Sequence, residues 1–372
     1  MIIYLVAFGL TYLFAVACRR IAPPLGQRAL AEKTSGGVVF HSHRLLPAMV
    51  FLACFLPLFL LSALREGIGT DYYYTYTPRF LEILEGERTY YEIGFYWVNR
   101  IIGMFTSNPQ WVFVVTSFVF MLFVALAFYD AIEDLPFCVM TLLVTGEYFI
   151  SLNNLRQAMA SAILLFGYRF IRKKQWVRFG LLTVLCGTLH QSMLVFLGVL
   201  LVLILLEYVP LHRLLLLLSA GAAVVLVLMN TSLDLLAPVL PDRLLYYFRE
   251  AMYTEPTIGK MRILVNIVLL VFLLFTRYQA KDREMEPFVV IQFLAVWVCL
   301  FDATLPAAYR ILRLFTFWQL LAIPRAVSCY TTLLHDRTWV KCILGAVLGL
   351  LCLYSLLYLG TEEVIPYHSI FH

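Results

Sequence analysis

The sequence predicts an all-α polytopic integral membrane protein, on three observations. Hydrophobic residues fill 62% of its 372 positions and charged residues only 14%, against about 25% charged in an ordinary soluble domain. Apolar runs close to the ~20 residues that span hydrocarbon recur along the whole length. Basic residues gather between those runs in compact clusters, at 19–44 and 169–178. A β-barrel would need short segments of alternating polarity, and none are visible.

Taken in order, residues 1–18 are apolar, without a basic leader or a small-residue cleavage site, and read as a first membrane helix rather than a cleavable signal. The run 45–64 gives a second. Gly94–Ser107 carries Asn99 and Arg100 and is amphipathic, so it reads as a re-entrant or interfacial helix outside the set of spans. Further runs follow at 111–129, 135–150, 157–171, 176–190, 191–207, 213–230, 262–277, 287–303, 310–327 and 338–359. The expectation is a single membrane domain over 1–372 with about twelve helices. An extracytoplasmic loop at 65–110 carries amphipathic helices, and a second loop lies at 231–261. The eight cysteines sit in or beside apolar runs without a C-x-x-C pair. That suits small buried side chains better than metal or redox chemistry, and the histidine spacing supports no metal site.

With Gly94–Ser107 left out of the membrane, the clusters at 19–44 and 169–178 fall on one side together with most of the 28 basic residues. That side is cytoplasmic by the positive-inside rule. Both termini then lie outside, with the Arg65–Glu92 loop, Arg156, His190 and Tyr309-Arg310. The chain has no P-loop or other nucleotide-binding motif, and no cytoplasmic loop long enough for a catalytic domain. ATP-driven chemistry is not expected, so a substrate must carry its own activation. No cofactor and no nucleic-acid partner is expected.

Four constellations on the outer face carry candidate chemistry. Arg65 and Asp71 flank a glycine turn, followed by Tyr72, Tyr73, Tyr74 and Tyr76. The arginine also suits a headgroup anchor, whereas four tyrosines in five positions offer sugar rings a stacking surface. A short surface helix follows Pro78, and Glu92 shares the compartment of Asp71. Arg156, in Asn153-Asn154-Leu155-Arg156-Gln157, lacks a basic cluster around it. It suits bidentate phosphate recognition or a salt bridge to another helix, for instance through Glu147. His190 interrupts the apolar run from Phe179 to Leu206, where an ionisable group is a functional candidate. Arg310 and Arg313, beside Tyr309, share one helical face, and paired guanidiniums in apolar surroundings call for a compensating anion.

In this order the residues resemble the EpsG family of bacterial membrane proteins, which are similar to Wzy-type polysaccharide polymerases. The matching pieces are Arg65 with Gly69-Thr70-Asp71-Tyr72 and Tyr76, then Glu92-Ile-Gly-Phe95, Leu155-Arg156-Gln157-Ala158, His190-Gln-Ser192, and Arg310 upstream of Ile323-Pro324. The resemblance implies glycosyl transfer outside the bacterial cytoplasmic membrane, with a GT-C-like helical arrangement as a compatible fold. The donor would be an oligosaccharide linked through pyrophosphate to a polyprenyl carrier. Membrane lipid and other polysaccharide-assembly proteins would be the remaining partners. Asp71, His190 and Glu92 become candidate catalytic residues. Arg65, Tyr72, Tyr76, Arg156, Gln157, Tyr309, Arg310 and Arg313 become candidate substrate ligands. A lipid-linked glycan transporter and a glycan ligase are the alternatives; a transporter would be expected to show two related halves, and none are visible.

Overall fold

The structure is a computed structural model that describes residues 2–21, 49, 51–87, 89–131, 134–231, 256–305, 307–330 and 337–371. Of the expected second loop at 231–261, residues 232–255 lie outside the described residues. Those described are almost entirely helical, with one isolated bridge between Arg65 and Ser369 in place of any sheet. By their contacts they form two compact units, 1–194 with 336–372, and 195–335.

The first unit begins with α1 (Ile2–Ile21) and α2 (Leu56–Ala63). A π-helical turn at Tyr72–Tyr76 leads into α3 (Thr77–Leu84) and then α4 (Ile93–Gly103). Next come α5 (Gln110–Ala131), α6 (Leu135–Val144), α7 (Glu147–Asn153) and α8 (Leu155–Phe166). A short α9 (Tyr168–Arg172) precedes α10 (Trp176–Leu189). At the heart of the unit α8 packs on α5. Ala158, Ala160, Ser161 and Ala162 of α8 are buried, and such small side chains let helix backbones approach closely. Buried Thr116 and Thr183 return their hydroxyls to carbonyls one turn earlier, which satisfies them without outside partners.

In the second unit, α11 (Val195–Leu205) and α12 (Leu211–Thr231) precede α13 (Lys260–Ala280) and α14 (Glu286–Leu300). They are followed by α15 (Ala308–Thr316) and α16 (Gln319–Cys329). Three buried amides tie this unit together. Gln292 Nε2 donates to Asn266 Oδ1 at 3.0 Å, and Gln319 Nε2 lies 3.0 Å from both Asn266 Oδ1 and Gln292 Oε1. Interhelical amide bonds of this kind hold apolar helices in register where hydrophobic burial alone does not discriminate. The chain returns to the first unit with α17 (Arg337–Leu357), which packs on α6.

Among the described residues, three helices are long and apolar enough to cross a membrane, α5, α13 and α17, and a fourth span results if α6 and α7, bent by 56°, count as one. α1, α10, α11 and α12 are shorter apolar helices. Several expected runs divide. The run at 45–64 breaks at Cys54-Phe55, that at 157–171 divides at Gly167, and that at 310–327 becomes α15 and α16. The expected interfacial segment is α4, whose 11 residues reach only about 16 Å, half of a ~30 Å hydrocarbon core. It buries Phe95, Asn99 and Ile102 and exposes Ile93, Trp97 and Ile101.

Candidate functional site

Three helix ends of the first unit bring Glu92, Arg156 and His190 together. Glu92 is the N-cap of α4, Arg156 stands in the first turn of α8, and His190 is the extended residue at which α10 stops. Arg156 Nη1 donates to Glu92 Oε2 at 2.6 Å, and His190 Nδ1 lies 3.6 Å from Glu92 Oε1. The Gln191 backbone N–H also points at Oε1, at 3.3 Å. The ends meet because Gly94 lies against Thr188. A Cβ at Gly94 would stand 2.4 Å from Thr188 Oγ1 and 2.8 Å from its carbonyl oxygen. Burial alone would push the Glu92 carboxyl up, but the His190 imidazole beside it and the Arg156 charge outweigh it and bring it down to about 2. Glu92 is therefore held as an anion between two potential cations.

Aromatic rings enclose the arginine. Its guanidinium lies over Tyr91, 4.7 Å from the ring centroid, and its charge acts on Tyr76. Burial pushes the Tyr76 phenol up to about 12, with Arg156 opposing and Asp71 adding to the shift, so it remains neutral. Tyr91 donates to the Thr75 carbonyl at 3.2 Å, and Thr75 Oγ1 donates to Asp71 Oδ1 at 3.1 Å. Asp71 thus belongs to the same network as Arg156. Its backbone N–H donates to Asn153 Oδ1 at 3.0 Å. Gly69 adopts φ +85°, and a Cβ there would stand 3.0 Å from the same oxygen. The tight, left-handed backbone beside Asn153 accounts for a glycine at that position.

The tyrosines divide by face. Tyr72 and Tyr76 turn inward: Tyr72 stacks on Phe113 at 4.1 Å and donates to Gln110 Oε1 at 2.7 Å. Tyr73 and Tyr74 are exposed, Tyr74 by 86%. Arg65 is fully buried. Its Nη1 donates to the Ser62 carbonyl and, at 3.2 Å, to Ser117 Oγ, while its guanidinium lies 5.0 Å from the Phe113 centroid. Gln157 is likewise buried within α8. The salt bridge considered for Arg156 exists, with Glu92 as its partner. Tyr309, Arg310 and Arg313 belong to the second unit, on α15, where both guanidiniums lie against the Tyr309 ring at 5.6 and 5.5 Å.

The sequence reading missed the C-terminal segment. Glu362 Oε2 accepts from Asn153 Nδ2 at 2.9 Å and Asn154 Nδ2 at 3.4 Å. Gly69 N–H donates to the Glu363 carbonyl at 3.2 Å, Glu66 N–H to His368 at 3.1 Å, and Ile370 N–H to Leu64 at 3.0 Å. The Asn153-Asn154 pair was the available sequence signal: two carboxamides at a helix start need partners.

These features define a helical protein whose polar cluster is assembled from helix ends within an otherwise apolar chain. The sequence model of the EpsG family matches residues 48–369, and the chain belongs to that family. No curated protein and no solved structure matches it.

Proposed function

We propose that this chain is a polysaccharide polymerase. It would join polyprenyl-pyrophosphate-linked oligosaccharide units on the extracytoplasmic face of the bacterial cytoplasmic membrane, from a bundle of about twelve spans. The observation that carries this reading is the Arg156–Glu92–His190 cluster joined to the Asp71 loop. An acceptor hydroxyl attacks the anomeric carbon of the donor, the bond from that carbon to pyrophosphate oxygen breaks, and polyprenyl pyrophosphate leaves. His190 takes the hydroxyl proton. Glu92 faces its Nδ1 and orients the ring, leaving Nε2 for the proton. A carboxyl held near 2 is too weak a base for this step, which gives Glu92 a supporting role. Asp71 hydrogen-bonds sugar hydroxyls or shares the base function. Arg156 supplies fixed positive charge that favours the departing anion over the ground state. Arg310 and Arg313 of the second unit are proposed anion ligands in their own right. Tyr73 and Tyr74, being exposed, replace Tyr72 and Tyr76 as the surface on which sugars stack.

The test uses purified protein in vesicles with lipid-linked repeat units. Chain growth is expected. His190→Ala should slow it by ~10²–10⁴-fold, and Arg156→Lys and Arg310→Lys should lose most polymer while still inserting in the membrane, since an ammonium does not reproduce the guanidinium fork. Movement of the lipid across the bilayer without growth would make the protein a transporter. Transfer only to a different acceptor would make it a ligase.

A further inference from the structure

We propose that Glu362 is a positioning residue for Asp71, acting through Asn153; the catalytic part of this inference rests on the polymerase reading above. The Asn153 carboxamide is used at both ends. Its oxygen accepts from the Asp71 N–H at 3.0 Å and from Thr70 Oγ1 at 3.2 Å. Its nitrogen donates to Glu362 Oε2 at 2.9 Å. An amide can rotate by half a turn and exchange oxygen for nitrogen at little cost in shape. The carboxylate removes that freedom, because it can only accept. With Glu362 on one side, the nitrogen must face the tail and the oxygen must face the Asp71 loop. A charged acceptor also makes the stronger hydrogen bond.

The tail is placed for this task by contacts that do not involve Glu362. Tyr4 donates to the Val364 carbonyl at 2.8 Å, and Tyr367 to the Leu61 carbonyl at 3.0 Å. Ile370 N–H donates to the Leu64 carbonyl at 3.0 Å. Glu362 itself adopts φ +68°, a conformation uncommon for a residue with a side chain. Three fixed points thus hold a carboxylate against the carboxamide that orients the Asp71 backbone. The influence runs through Asn153.

The test combines amide hydrogen exchange over residues 69–72 with polymerisation kinetics. In Glu362→Ala, exchange at Asp71 should accelerate, and kcat should fall by about 10- to 100-fold, the scale of a small misplacement of a reacting group. Donor KM should stay within about two-fold, because no substrate contact is lost. Glu362→Gln, which keeps an acceptor oxygen for Asn153 but can flip together with it, should fall between Glu362→Ala and the native protein in both readouts. Asn153→Asp sets two carboxylates against each other and should fail. The pair Asn153→Asp with Glu362→Gln exchanges donor and acceptor, and should recover both readouts. Unchanged Asp71 exchange and kcat in Glu362→Ala, or a double variant as impaired as Asn153→Asp alone, would overturn the proposal. Wild-type protein that makes no polymer would end the polymerase reading, while the exchange data would still decide whether Glu362 holds the loop.

Discussion

At Glu92 three influences of different sign meet. Burial favours the neutral acid, whereas the neighbouring His190 imidazole and the Arg156 charge favour the anion and win, leaving the carboxyl at about 2. A folded value below the ordinary ~4.3 means that this group adds stability above about pH 4 and loses it as pH falls toward 2. Glu92 therefore does not titrate between pH 5 and 8, and a fall in turnover on acidification through that range belongs to another group. If His190 is the base, Glu92→Gln leaves the ring without its orienting partner, and the maximal rate of the purified variant should fall by on the order of 10-fold. An unchanged maximal rate would remove Glu92 from that supporting role.

The helices carry these residues into register, and the contact of α4 with α10 is the tightest constraint. Because a Cβ on Gly94 would meet the Thr188 carbonyl oxygen at 2.8 Å, Gly94→Ala must lift α4, and Glu92 lies two residues away. The expected result is a rate lower by about 100-fold with a stability loss of about 1–3 kcal/mol, read by turnover and thermal unfolding. A normal rate would mean that α4 has slack. Much at this scale was legible in the sequence. Polarity marked the amphipathic segment that became α4, the surface helix after Pro78, and the break at His190, since each interrupts an apolar pattern. Which tyrosines face inward was not legible. Four tyrosines in five positions are chemically alike, and only the π-helical turn puts Tyr72 and Tyr76 on the face of Phe113 and Arg156. Gly167 and Cys54-Phe55 break apolar runs from within, where hydropathy gives no signal. The Glu92 partner of Arg156 was not legible, because it lies 64 positions away and charge pairing at that range leaves no local pattern.

At the scale of the first unit, Tyr4 of α1 bonds to Val364 of the C-terminal segment, and Ser369 of that segment bridges to Arg65 ahead of the Asp71 loop. Gln175 lies at the opposite ends of α8 and α10 from Arg156 and His190. With native cysteines removed, Thr89→Cys should react with an impermeant thiol reagent in intact cells and Gln175→Cys should not. The reverse labelling would invert the orientation and move the proposed chemistry to the cytoplasm. The tail has a consequence for biosynthesis. Asn153 and Glu362 are 209 positions apart, so the Asp71 loop and its carboxamide leave the ribosome long before the carboxylate that orients them exists. On the role proposed for Glu362, the Asp71 loop would take its final order only once translation has passed residue 362, and a message cut short before that point would lack the carboxylate that orients Asn153.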